Sequence, residues 1–145
     1  MEKNCQTFED LIIWKESMKL SIEIYKLFKN CRDFGFRDQI LKSSISVPSN
    51  IAEGFERQTD KEFIQFLFIA KGSNGELRTQ LYLAMELDYI DKQIALEKID
   101  IAKKISIMIY KVITVRKNKP KITPAPLNRL TPWPLNRLTP SPFNP

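Results

Sequence analysis

Ser43-Ser44-Ile45-Ser46-Val47-Pro48-Ser49-Asn50-Ile51-Ala52-Glu53-Gly54 is the stretch whose reading decides the fold. It is too polar for an ordinary core helix and too regularly apolar for a loop. Ile40 or Leu41, Ser44, Pro48, Ile51 and Phe55 recur at steps of three and four, the spacing of one helical face. Beside them Ser43, Val47, Asn50 and Gly54 form a second line of mostly small residues. Interaxial distance follows side-chain size, so such a strip admits a neighbouring helix at close range. Pro48 has no amide to offer the Ser44 carbonyl and its ring crowds that oxygen, so a bend is expected there. The freed carbonyl needs a new donor, and a Ser or Asn side chain on this helix or the facing one is expected to supply it.

Around this helix, read as residues 36–55, three more follow from the pattern. Thr7 is a cap for a first helix over 9–29, with Glu9 and Asp10 in its first turn. Leu11, Trp14, Met18, Ile22 (or Ser21), Tyr25 and Phe28 mark its apolar stripe. Thr59-Asp60-Lys61-Glu62 is a capping box that opens a third helix. The run Phe63–Ala70 behind it is apolar nearly all round, which a solvated surface helix would not be. Lys71-Gly72-Ser73-Asn74-Gly75 carries a turn signal, yet Ala70, Ser73, Leu77, Leu81 and Ala84 keep helical phase through it. An unbroken helix to 87 is expected, with its Gly and Ser positions facing the small strip. Asp91 caps a fourth helix over 92–115, with a stripe of Ile94, Ile101, Ile105, Met108, Val112 and Val115, broken by Lys98. Ala102, Ile109 and Ile113 form a second apolar line.

Four long helices with short connections predict an all-α chain, an antiparallel up-down-up-down four-helix bundle over residues 8–115. Residues 1–7 form an N-terminal arm and 116–145 a Pro-rich tail, expected to be disordered. The tail repeats Pro126–Pro132 as Pro134–Pro140, with Trp133 between, and two copies are too few for a solenoid. Arg129, Trp133 and Arg137 there would suit a short basic motif. Before Arg116 the chain has 17 basic and 17 acidic residues, whereas the tail has six basic and none acidic. The high isoelectric point therefore belongs to the tail. Apolar surface left over on helices 3 and 4 predicts self-association.

Histidine is absent, which removes the usual general base and the commonest metal ligand. Four glycines make no phosphate-cradling loop. No enzyme, metal or cofactor is expected. Glu53 and Glu76 could approach across helices 2 and 3, but di-iron bundles add Glu-x-x-His motifs, so register-fixing hydrogen bonds with Asn50 are the expectation. Cys5 and Cys31 read as free thiols of a reducing cytoplasm. No apolar run is long enough to span a bilayer.

Several of these residues carry a family resemblance. Arg37-Asp38-Gln39 and Ser46–Gly54, then Ala70-Lys71-Gly72-Ser73 with Glu76-Leu77, are preceded by Phe8-Glu9-Asp10-Leu11 and Trp14 and followed by Leu87-Asp88-Tyr89-Ile90. This ordered set resembles the four-helix-bundle family encoded within 23S rRNA intervening sequences. Pro48, Asn50, Glu53, Gly54, Gly72, Ser73 and Glu76 are its structural motif here. That family is in turn similar to the accessory variability protein of diversity-generating retroelements, a homopentameric barrel thought to bind nucleic acid beside a reverse transcriptase. The resemblance implies a homo-oligomer of five that binds RNA or DNA, with a reverse transcriptase as partner only in a retroelement context. A protein-interaction scaffold is the competing reading. Arg37, Lys42, Arg57, Lys61, Lys71 and Arg78 along helices 2 and 3 are the candidate nucleic-acid contacts. The aromatics read as buried, so base stacking is not expected.

Overall fold

The structure, a computed structural model, describes residues 7–119. Among them are four α-helices, α1 (Ile12–Phe28), α2 (Phe34–Phe55), α3 (Asp60–Glu86) and α4 (Lys92–Lys117), preceded by a 3-10 turn over Phe8–Asp10. Cys5 and the tail repeat lie outside the described residues.

Each helix end has a local cause. The Thr7 amide and hydroxyl both donate to the Asp10 carboxylate at 3.4 Å, which closes the 3-10 turn. Leu11 then adopts extended backbone, so α1 begins at Ile12 and not at residue 9. The Asp33 carboxylate accepts from the Phe36 amide at 3.1 Å, which starts α2 at Phe34, ahead of the expected residue 36. Thr59 accepts from the Glu62 amide at 3.2 Å, while its hydroxyl donates to the Glu62 carboxylate at 3.1 Å. α3 runs unbroken through 71–75, because Ala70, Ser73, Leu77, Leu81 and Ala84 are all buried on one face. It ends where Asp88 turns left-handed (φ 56°), with Tyr89 and Asp88 amides returning to the carbonyls of Ala84 and Met85. Asp91 caps α4 through the amides of Gln93 and Ile94.

Successive helices are neighbours, and α1 closes the arrangement against α4. Phe28 meets Phe36, Ser21 meets Ser44, Ser46 meets Ser73, and Asn74 meets Ala102. Toward the other end Gly54 abuts Phe66, and Arg116 lies over Phe63. These pairs run in opposite chain directions, so consecutive helices are antiparallel. The core between them includes Leu20, Ile24, Phe28, Ile40, Ile51, Leu67, Leu77, Leu81, Ile105, Ile109 and Ile113.

Two stripes differ in phase from the sequence reading. α1 buries Ile13, Ser17, Leu20, Ser21, Ile24 and Phe28. Trp14 and Met18 are only half-buried, and Ile22 and Tyr25 are exposed. α4 buries Ala95, Lys98, Ile99, Ala102, Ile105, Ile109 and Ile113, while Ile94 and Val115 are exposed. Both helices are apolar on more than one side, so periodicity alone leaves the phase open. Small residues settle it: Ser17 and Ser21, like Ala95 and Ala102, lie on the buried faces.

Lys98 is thus part of the buried face and not a gap in it. Its Nζ lies 2.8 Å from Glu23 on α1 and 3.4 Å from Glu97. Burial alone would lower its pKa, but the hydrogen bond and charge of Glu23, then Glu97, outweigh it and hold the ammonium above the ordinary lysine value.

Candidate nucleic-acid interface

A polar seam runs along α2. Pro48 is buried inside α2, and the Ser44 carbonyl it leaves unserved accepts from Ser21 Oγ of α1 at 2.6 Å. On the other side of α2, Ser46 Oγ lies 2.9 Å from Ser73 Oγ of α3. Asn50 Nδ2 donates to the Ser46 carbonyl at 2.8 Å and to its hydroxyl at 2.9 Å. Gly54 is the point of closest approach: a Cβ there would stand 2.5 Å from Phe66 Cβ and 3.1 Å from Phe63 Cδ1. Ser73 faces the strip as expected, whereas Gly72 does not. A Cβ on Gly72 or Gly75 would meet nothing within 4 Å.

Glu53 and Glu76 are both exposed. Glu53 pairs with Arg57 at 3.0 Å, one turn along its own helix. Among the described residues no group of three or more His, Cys, Asp or Glu is placed to hold a metal ion. Asn74, read in sequence as part of a turn signal, is fully buried in α3 and donates to the Ala102 carbonyl of α4 at 2.7 Å. Its spacing, four residues after Ala70 and three before Leu77, was the available signal.

The six candidate cations do not share one environment. Arg37 lies 3.7 Å from Asp38 and stacks over Phe34. Arg57 stacks over Phe66 as well as pairing with Glu53. Lys42 lines a trough beside α1 together with Tyr25, Asp38 and Glu53. Lys61 is exposed near the α2–α3 turn, and Arg78 is half-buried. Lys71 opens onto a different groove, between α3 and α4.

Two apolar grooves lie open on the bundle. Between α1 and α2 lies a groove of about 640 Å³ walled by Trp14, Met18, Ile22, Tyr25, Ile45 and Pro48, with Lys26 its single charged residue. Phe8 meets Trp14 edge to face at 5.3 Å at one end. The second groove, about 730 Å³, lies between α3 and α4 and is lined by Lys71, Ile107, Tyr110, Lys111 and Val115. Beside it Phe68 is exposed, with Lys117 Nζ 5.2 Å from its ring centroid. From Ile101 to Lys117, α4 carries Lys103, Lys104, Lys111, Arg116 and Lys117 and no acid. From Phe63 to Gly75, α3 carries Lys71 and no acid.

An antiparallel four-helix bundle with a buried proline, a serine–asparagine seam and uncovered apolar faces is the class of protein that these residues define. The profile described as 23S rRNA-intervening sequence protein matches residues 9–111, and the chain belongs to that family. Its fold is similar to the crystal structure of a protein of unknown function from the S23 ribosomal protein family of Bacteroides thetaiotaomicron VPI-5482. The TM-score is 0.66 at 24% identity, over 70% of this chain and 98% of that one, a likeness of fold. No curated protein matches the chain. No helix among the described residues is long and apolar enough to cross a membrane.

Proposed function

We propose that the chain is a non-enzymatic, self-associating bundle that binds structured nucleic acid through its assembled surface. The observation that carries the reading is the separation of two kinds of apolar face. The α1–α2 groove is apolar and nearly uncharged, which suits a contact between copies, since monomers seldom leave such a patch in water. The α3–α4 face is cationic without acids over half its length, which suits phosphate. A ring closes when the α1–α2 groove of one copy meets a different patch, outside the α3–α4 face, on the next, and a ring of five is what the family resemblance implies. Each added copy repeats the cationic face and so adds phosphate contacts.

The test is solution mass together with nucleic-acid affinity against salt on the full chain. Glu at Ile22 and Ile45, both exposed at the groove rim, is expected to split the assembly while leaving helix content intact. Affinity for structured RNA or DNA is expected to fall steeply with salt and to weaken in the split variant. A chain that stays monomeric, or binds no nucleic acid at low salt, sinks this reading; the second outcome favours the scaffold alternative.

A further inference from the structure

We infer that the α3–α4 groove is a binding site for an unpaired, single-stranded segment of nucleic acid, its bases stacking on Tyr110 and Phe68 and its phosphates held by Lys71, Lys111 and Lys117. The inference rests on the nucleic-acid reading above and gives it a site and a strand chemistry. Three observations meet there. Tyr110, Ile107 and Phe68 are 57%, 56% and 44% exposed, an outward aromatic and aliphatic surface that the core does not use. Lys71 and Lys111 line the same groove, and Lys117 lies against the Phe68 ring, so cations stand beside the exposed rings. Lys103 lies one turn before Ile107 on the same face and extends the row of charge. Lys71, Lys103, Lys111 and Lys117 form no ion pair among the described residues; beside them the paired acids are Asp100 with Lys104 at 3.0 Å and Asp60 with Arg116 at 2.8 Å.

Charge and apolarity together select the occupant. A second copy meeting this face with its own α3–α4 face would set lysines against lysines, whereas ammonium groups buried against a partner need acids. A duplex presents phosphates but hides its base faces. A single strand offers both a row of phosphates and a row of π-faces, the combination bound by aromatic platforms in cationic grooves. RNA and DNA share this chemistry, and the test separates them.

The experiment uses full-length protein and labelled oligo(U) and oligo(dT) of about 15 nucleotides, the upper range of known single-strand sites, with a duplex as comparison. Tyr110→Leu and Phe68→Leu are expected to weaken single-strand binding about 5- to 100-fold each while leaving the salt slope unchanged. Tyr110→Trp is expected to retain it. Lys111→Gln is expected to lower the salt slope by about 0.7. Fluorescence anisotropy reads the affinities, and solution mass checks each variant. If the protein binds nucleic acid but Tyr110→Leu, Phe68→Leu and Lys111→Gln bind as the parent does, the groove assignment is overturned while the broader reading stands. Preference for duplex with no loss in Tyr110→Leu overturns it equally. A change of mass in Tyr110→Leu or Phe68→Leu would make the groove a contact between copies and overturn it too. Failure of every probe at low salt removes both readings.

Discussion

Replacing Gly54 by Ala tests the packing of the α2–α3 seam. In an ordinary helix the change gains about 1 kcal/mol, because Gly has the poorest helix propensity after Pro. Here the added methyl would stand 2.5 Å from Phe66 Cβ, 3.1 Å from Phe63 Cδ1 and 3.3 Å from the Phe63 carbonyl. Phe66 Cβ is fixed to the α3 backbone, so no rotamer change moves it away, and the two helices must separate near the α2–α3 turn. Overpacking of this kind costs about 1–3 kcal/mol, and an overlap between two backbone-anchored atoms belongs at the upper end. The net expectation is a loss of about 1–2 kcal/mol, or about 3–8 °C in Tm. Gly72→Ala and Gly75→Ala supply the contrast, since their new methyls meet nothing within 4 Å and keep the helix-propensity gain. They are expected to raise stability by about 0.5–1 kcal/mol. Urea or thermal melts of the three variants, at one protomer concentration, give the ordering. Phe66→Gly in the Gly54→Ala background should recover part of the loss, whereas Phe66→Ala, which keeps the offending Cβ, should not. A Gly54→Ala protein as stable as Gly72→Ala would refute the reasoning.

The remaining predictions concern the polar contacts. Ser21→Ala leaves the Ser44 carbonyl unpaired and is expected to cost about 1–2 kcal/mol, with a smaller cost in a Pro48→Ala background, where residue 48 regains an amide; a double-mutant cycle of melts measures the difference. Lys98→Met removes a buried ammonium and leaves Glu23 to water, so stability within about 1 kcal/mol of the parent is expected, with the parent's loss at high pH abolished. The sign follows from Lys98 being raised above 10.5: its contribution is full below that value and is lost as pH climbs through the folded-state pKa. Tyr89 donates to Asp33 at 2.7 Å, and this bond, then the Phe36 amide, lowers the Asp33 pKa below 3.8. Stability from Asp33 is therefore present above 3.8 and lost as pH falls through its folded value, and Tyr89→Phe is expected to flatten that acid limb in a Tm–pH profile.

Much of the fold was legible because its strongest signals are local. The Thr59–Glu62 capping box, the Asp91 cap and the unbroken phase of Ala70 to Ala84 each depend on neighbours within one or two turns. The need for a donor at the Ser44 carbonyl was also readable, since it follows from Pro48 alone. The identity of that donor was not, because the stripe left Ile22 or Ser21 open and only packing turns Ser21 toward the Ser44 carbonyl. Rotating α1 and α4 exchanged which apolar residues face inward. Ile22, Tyr25, Ile94 and Val115 read as core only because a helix apolar on two sides gives two self-consistent stripes, and tertiary packing chooses between them.

The same ambiguity concealed the candidate site. Tyr110 and Phe68 belong to helices that carry enough apolar residues to fill a core twice over, so every aromatic looked buried. The charge count concealed it further. Seventeen bases against seventeen acids before Arg116 describe a neutral stretch, to which α4 adds Arg116 and Lys117, yet that balance is a sum over separate surfaces. The acids of α3 and α4 sit at Asp60, Glu62, Glu76, Glu86, Glu97 and Asp100, whereas the charged residues of Phe63–Gly75 and Ile101–Lys117 are all cations. Screening in physiological salt acts over about 8 Å, shorter than the reach across a bundle of two helix layers, so a phosphate at the α3–α4 groove responds to Lys71, Lys111 and Lys117 and little to the acids of α2. Net charge therefore carries no information about this face, and charge resolved by helix and by side does.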